Sequence, residues 1–324
     1  MHRRLLDVLA DPESGEALEL IGGDGDGAWI ETGELLSPSG RRFPIIRGVP
    51  RFVGEGYAES FGLQWNRYAR VQLDSANGGS YSRDRFDQEL EWGRPELEGR
   101  WVVDAGCGSG RFAEIAASYG AEVIGIDLSS AVDAAAENLR SWPNAHVIQA
   151  DITRLPLRKE PVDFLYSIGV LQHTPDPLAS AESLVASLRP GSRFTFTIYA
   201  RGPWTMLYSK YLVRPLTRRL PPARLLKAVQ QAMPVLFPVT SCLYTLPGVG
   251  KLAQFLLPVA NYPWQTDLPR EVRYDQAVLD TFDMLSPWYD RPVTAEEIEG
   301  AVGHLTKELG FRSRVPVIVH GTRG

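Results

Sequence analysis

Cysteine is almost missing from this chain of 324 residues: Cys107 and Cys242 are the only two, too few for a disulfide framework or a four-thiolate zinc site. No secretory leader is expected either. Met1-His2-Arg3-Arg4-Leu5-Leu6 reaches Asp7 after two leucines, short of the roughly 7–15 apolar residues that export requires. Both absences point to a reducing, cytoplasmic setting. Strong net charge is absent too, since a formal −5 gives no overall reason to expect nucleic acid or an acidic membrane as partner. The uncharged stretch 228–250 is broken by Pro234, Pro238 and Pro247 and diluted by Gln230, Gln231, Thr240, Ser241 and Thr245, which argues against a membrane span. There is no internal repeat or low-complexity tract, and the length suits roughly two domains, or one with a large insertion.

What the chain does have is a glycine turn, Trp101-Val102-Val103-Asp104-Ala105-Gly106-Cys107-Gly108-Ser109-Gly110-Arg111. An apolar β-prone run leads in, three glycines at alternate positions prevent regular structure, and helical spacing resumes from Phe112 to Tyr119. Glycines admit positive φ and close approach to the backbone, and the N-terminus of the following helix favours anionic or electron-rich groups, so a cofactor is expected here. Dinucleotide sites use G-x-G-x-x-G. This turn reads G-x-G-x-G, with Arg111 where the third glycine of that fingerprint would stand.

With its acidic lead-in, Asp104-Ala-Gly-Cys-Gly-Ser-Gly110 resembles motif I of class I S-adenosylmethionine-dependent methyltransferases. The resemblance implies a Rossmann-like α/β sheet and S-adenosylmethionine as cofactor. It places Asp104, Gly106, Cys107, Gly108 and Gly110 at the methionine end of the cofactor, with Cys107 a small packed residue and not a nucleophile.

From 100 to 200 strand and helix patterns alternate, as a doubly wound α/β sheet requires. The second strand, Glu122 to Asp127, ends in an acid 17 residues after Gly110 and is followed by Leu128. A carboxylate there can accept from both ribose hydroxyls of a nucleoside, a contact that dinucleotide enzymes share. The third strand leads to Asp151-Ile152, which resembles the methyltransferase element whose acid meets the adenine amino group while the next backbone N–H faces the ring. The fourth strand, Val162 to Ser167, runs into Ile168-Gly169-Val170-Leu171-Gln172-His173-Thr174-Pro175-Asp176, similar to the family's post-strand His-x-x-Asp motif, with Gln172 in place of a first histidine. This puts Ser167 with Leu128 and Ile152 among the cofactor contacts. His173 is then either a general base at the mouth of the pocket or a residue that orients the loop, with Tyr199 and Tyr289 as lesser candidates for the base.

Four domains are expected. Residues 1–56 are turn-rich and β-prone, and resemble the zinc-ribbon-like module of some methyltransferases. Asp11, Ser14 and the Ser37-Pro-Ser-Gly40 turn replace its Cys-x-x-Cys pairs, so the module is expected to be metal-free. Residues 57–99 are helical, with Phe61, Trp65 and Tyr68 on one face, either as core or as cover for the cofactor. Phe61-Gly-Leu-Gln64-Trp65 resembles the segment before motif I in small-molecule methyltransferases, and Arg67 or Arg85 would meet the methionine carboxylate. Residues 100–200 and 291–324 form the core. At its end Ser286-Pro287-Trp288-Tyr289, Thr294-Ala-Glu-Glu297 and Gly310-Phe311 resemble the family's C-terminal region, with a helix expected to end near Gly310 and strands from Phe311 to Arg314 and Val317 to His320.

Residues 201–290 form a basic and apolar helical cap for the substrate. Within it, 201–265 carries eight basic residues and no acidic one, so it is +8 while the remainder is −13. The segment either roofs the active site or meets anionic lipid. The whole implies methyl transfer to oxygen or nitrogen of a small, hydrophobic acceptor, a lipid or secondary-metabolite intermediate. Two alternatives stand: a tRNA or protein methyltransferase, against which the apolar cap counts, and a non-catalytic adenosyl-binding module.

Overall fold

The computed structural model describes residues 1–54, 56–158 and 162–324. A small antiparallel meander comes first: β1 (Glu19–Asp24), β2 (Thr32–Leu36), β3 (Arg42–Ile46) and β4 (Val49–Pro50), paired in chain order. In β3 burial alternates, with Phe43 and Ile45 inward and Arg42, Pro44 and Ile46 outward, as a sheet with one packed face requires. The position expected to lack metal holds an ion pair. Asp11 is buried and accepts from the Glu13 and Ser14 N–H groups and from Arg41 Nη2 at 2.5 Å. Burial alone would raise its carboxyl; the hydrogen bonds and Arg41 outweigh burial and leave it below the ordinary carboxylate range.

Four short helices follow, α1 (Glu59–Arg67), α2 (Asp74–Asn77), α3 (Tyr81–Leu90) and α4 (Arg94–Leu97). The main sheet then begins with β5 (Trp101–Ala105), α5 (Arg111–Ser118), β6 (Glu122–Asp127), α6 (Ala131–Asn138), β7 (Ala145–Gln149), β8 (Val162–Ile168), α7 (Pro177–Ser187) and β9 (Arg193–Ile198). The cap inserts α8 (Ser209–Thr217), α9 (Pro222–Leu243), α10 (Val249–Leu256) and α11 (Arg270–Leu285), and the chain returns through α12 (Ala295–Val302), β10 (Thr306–Arg314) and β11 (Val317–Arg323).

The seven strands lie in the order β7-β6-β5-β8-β9-β11-β10. The first five are parallel, and β11 enters antiparallel between β9 and β10. This is a Rossmann-like α/β fold. Its parallel strands are apolar on both faces because both are covered. Val102 packs with α3 to α6, whereas its neighbour Val103 packs with α7, α12 and the N-terminal meander. The meander therefore shares the core of the main sheet, and Arg51 pins it by donating to Gln149 Oε1 (2.7 Å) and Asp133 Oδ1 (2.6 Å).

Two expectations change. The helix that begins at the Thr294 capping box ends at Val302, not near Gly310, and a nine-residue strand starts at Thr306. Gly310 sits opposite His320 in the ladder, where an added Cβ would lie 2.7 Å from the His320 ring, so this glycine answers a cross-strand neighbour and caps no helix. Pro234 and Pro238 do not interrupt the cap: α9 runs through both for 22 residues, and Leu225, Leu226, Val229, Met233 and Phe237 pack it on α11. Among the described residues no helix is long and apolar enough to cross a membrane.

Candidate active site

Between β5 and β8 the chain connections diverge, from β5 towards β6 on one side and from β8 towards β9 on the other. That is where an open α/β sheet leaves a crevice. A cavity of about 310 Å3 occupies it, floored by the turn after β5 and roofed by α1 and α11.

The glycine turn owes its composition to the protein's own side chains. Gly106 has φ +90°, and an added Cβ would lie 2.4 Å from Val170 on the loop after β8. Gly108 has φ +53°, and there a Cβ would lie 3.1 Å from Trp65 Nε1, so the indole of α1 rests on the turn. Asn66 donates to the Ser130 carbonyl and Asn138 to those of Ala69 and Ser109, all near 2.8–2.9 Å, which ties the start of the helical segment to the floor.

Of the residues expected from sequence, Gly106, Cys107, Gly108, Asp127, Leu128, Asp151, Ile152 and His173 line this one cavity. Asp127 is held by three donors. Ser129 gives its N–H (2.9 Å) and hydroxyl (2.7 Å) to Oδ1, while Gly108 gives its N–H (3.0 Å) to Oδ2. A carboxylate has about four acceptor sites, so the spare one lies on Oδ2. Burial outweighs these bonds and raises its pKa. Asp151 uses Oδ1 on Thr153 N–H and hydroxyl, both at 2.8 Å. Tyr57 lies nearby, its hydroxyl pushed up first by burial and then by Asp151.

Asp104, Gly110 and Ser167 do not line the cavity. Asp104 is buried behind the turn, where desolvation, reinforced by Asp127, pushes its carboxyl up to about 7. Gly110 precedes the first residue of α5 and faces Leu139, the residue that follows α6. Ser167 spends its hydroxyl on the Ala105 carbonyl at 2.8 Å, which fastens β8 to the end of β5. These three shape the turn from behind and do not reach into the space above it.

His173 is buried, and its Nδ1 lies 3.0 Å from the Tyr289 carbonyl. A carbonyl only accepts, so Nδ1 carries the proton and Nε2 the lone pair. The ring packs against Phe61 (5.2 Å between centroids) and edge-on to Tyr199 (5.7 Å). Tyr199 lines the cavity, but burial pushes its hydroxyl well up, which makes it a poor base. Tyr289 does not line it: its ring stacks edge-on with Tyr57. Arg85 lines the cavity and Arg67 does not.

Several wall residues escaped the sequence reading. Arg111, noticed only for displacing a glycine, donates to Gln72 Oε1, and Gln72 donates to Asp280 Oδ1 at 3.0 Å. Burial, then Arg85, lowers the Arg111 guanidinium to about 10, and its Nε and Nη2 find no partner among the described residues. From α11, Gln276, Asp280, Asp283 and Met284 face the cavity at helical spacing. Burial, then Asp283, raises Asp280 to about 7. Lys210 of α8 enters beside Tyr199 and pairs with Asp290 at 2.9 Å. Much of the cap's basic charge is consumed in this way: Arg201 meets Glu297, Arg214 donates to the Met284 and Pro287 carbonyls, and Arg218 donates to that of Trp288.

The residues present fit an adenosyl amino acid. A spare acceptor on Asp127, the Arg111 Nε and Nη2 donors that find no partner among the described residues, and Arg85, which also lines the cavity, answer a ribose hydroxyl and an amino acid carboxylate.

Residues 103–196 match a model of the methyltransferase domain. The chain is 34% identical over 116 residues to a ubiquinone biosynthesis O-methyltransferase of Alkalilimnicola ehrlichii, covering 35% of this chain and 47% of that one. It is 30% identical over 132 residues to the protein of the same name in Pseudomonas fluorescens, covering 39% and 57%. The chain thus spans about half the length of these curated relatives. Among solved structures, an S-adenosylmethionine-dependent methyltransferase from Mesorhizobium loti is 30% identical, with 36% of this chain and 51% of that one covered, at a TM-score of 0.30 that is too low to speak for the fold. Residues 103–196 of the chain thus carry a methyltransferase domain.

Proposed function

We propose that this protein transfers a methyl group from S-adenosylmethionine to a hydroxyl oxygen of a small, largely apolar acceptor held under the cap. The observation that carries the reading is convergence: Gly106, Gly108, Asp127, Asp151 and His173 come from the ends of four strands and meet in one cavity. The named relatives act on oxygen, which favours a hydroxyl acceptor.

In this reading Asp127 Oδ2 holds a ribose hydroxyl, Asp151 with the Ile152 N–H holds adenine, and Arg85 or Arg111 takes the carboxylate. When bound, the cofactor supplies an already activated methyl group, so the protein has only to align the nucleophile, exclude water and take up a proton. Phe61, Trp65 and the cap exclude water. His173 Nε2 accepts the hydroxyl proton while Tyr289 holds the other ring nitrogen. A cavity roofed by α1 and α11 suits a small acceptor better than a tRNA or a protein side chain. Residues 1–56 serve as a metal-free packing module, in which Asp11, where the zinc-ribbon resemblance places a thiolate, pairs with Arg41.

Calorimetry with S-adenosylmethionine, followed by transfer of labelled methyl into fractionated extract and mass analysis of the product, tests this. Micromolar cofactor binding and a labelled small molecule are expected. Absence of cofactor binding, or label found only in protein or RNA, would refute it.

A further inference from the structure

The helix α8 has its polarity reversed. Lys210 and Arg214 face inward, with Arg214 only 5% exposed and bonded to two carbonyls, while Leu212 and Leu216 on the opposite face are 65% and 71% exposed. A helix packed on a soluble domain normally does the opposite. In α10 the same reversal recurs: Gly250 and Ala253 are buried, and Val249, Leu252 and Leu256 are exposed at i, i+3 and i+7. Just before α8, Trp204, Met206 and Leu207 are exposed, and Tyr208 packs on Phe255 (4.6 Å between centroids), which joins the start of α8 to α10. A lone exposed leucine is ordinary, but a cluster of this kind marks an interaction surface.

Charge identifies the partner. Arg219, Arg224, Lys227 and Lys251 are exposed and have no ion-pair partner among the described residues, and 201–265 contains no acidic residue that could answer them. We infer that this outer face of the cap, α8 and α10 with the turn at 204–208, docks on the surface of an anionic lipid bilayer. Leucines enter the acyl boundary, Trp204 and Tyr208 sit at headgroup level, and the four cations meet anionic headgroups. A second copy of the chain is a poor fit, since two such faces would oppose cation to cation. The contact is interfacial, because none of these helices is long and apolar enough to span. Lys210, on the inner face of α8, lines the cavity, so docking sets the cavity one helix diameter, about 10 Å, from the bilayer. The docking itself does not depend on the methyl-transfer reading.

Sedimentation of the full chain with phosphatidylglycerol–phosphatidylcholine vesicles, with phosphatidylcholine vesicles, and alone tests the proposal. Binding to the anionic vesicles is expected to exceed that to phosphatidylcholine by about ten-fold or more and to weaken with salt. The variant Leu212→Ser/Leu216→Ser/Leu252→Ser/Leu256→Ser should lose it while its circular dichroism and its affinity for S-adenosylmethionine stay those of the parent. Replacing Arg219, Arg224, Lys227 and Lys251 by Gln should remove the preference for anionic lipid. No association with anionic vesicles at low salt, undiminished binding by the serine variant, or a dimer in sedimentation equilibrium that the serine variant abolishes would each overturn the proposal.

Discussion

The Tyr289 carbonyl lies 3.0 Å from His173 Nδ1 and leaves Nε2 as the only basic atom of that ring. A backbone acceptor more than a hundred residues away in sequence thus sets the tautomer of the side chain at the mouth of the cavity. His173→Ala should lower kcat by about 100-fold or more, the usual share of a general base, with cofactor affinity unchanged by calorimetry. Turnover left intact in a variant that still binds S-adenosylmethionine would reduce His173 to a residue that orients the loop.

Asp127 joins the floor of the cavity to α6 through Gly108 and Ser129 as well as facing the space above. Hydrogen bonds to an ionised carboxylate contribute roughly 1.5–3 kcal/mol each, so Asp127→Ala should weaken S-adenosylmethionine binding by roughly 10–100-fold. Equal affinity in parent and variant would dismiss the ribose contact.

Gly106 combines a left-handed backbone with Val170 at 2.4 Å from any Cβ. Gly106→Ala should cost about 1–3 kcal/mol of stability through strain alone, with the collision in addition. Gly106→Ala/Val170→Ala removes the collision but not the strain, and should recover part of the lost melting temperature. Full recovery would mean that the backbone at 106 relaxes freely.

Asp104 has a folded-state pKa of about 7 against an ordinary value near 3.8, first because it is buried. The folded chain therefore keeps a proton that the unfolded chain releases. The contribution of this group is most favourable below about pH 4, declines as pH rises to about 7, and is flat above. Asp104→Asn removes that dependence. Urea denaturation should show the variant gaining about 2 kcal/mol on the parent between pH 5 and pH 7, at about 1.4 kcal/mol per unit. A constant difference across that range would show that Asp104 is not desolvated.

Legibility was uneven, and particular residues show why. Asp127, Asp151 and His173 each stand at the end of a short apolar run, and the rule that strand ends converge on the crevice brings them together in the sequence reading as in the structure. Ser167 stands at such an end too, yet its hydroxyl turns back to Ala105, because within a strand the two faces alternate and its side chain meets the neighbouring strand. Gln276, Asp280 and Asp283 share a helix face, but a polar stripe reads as solvated until α1 and the glycine turn are known to lie opposite it.

By itself the sequence determined the order of strands and helices, the alternate-glycine turn and the charge asymmetry of 201–265, since each is written in the spacing or composition of neighbouring residues. Only the tertiary structure decided which neighbours those residues serve. Trp65 and Val170 require Gly108 and Gly106, His320 requires Gly310, and Asp290 with the carbonyls of Met284 and Pro287 turns the cations of α8 inward and its leucines out. The physical reason is common to all of them: local periodicity fixes which residues share a face, whereas the direction of that face is set by packing against segments tens to hundreds of residues away.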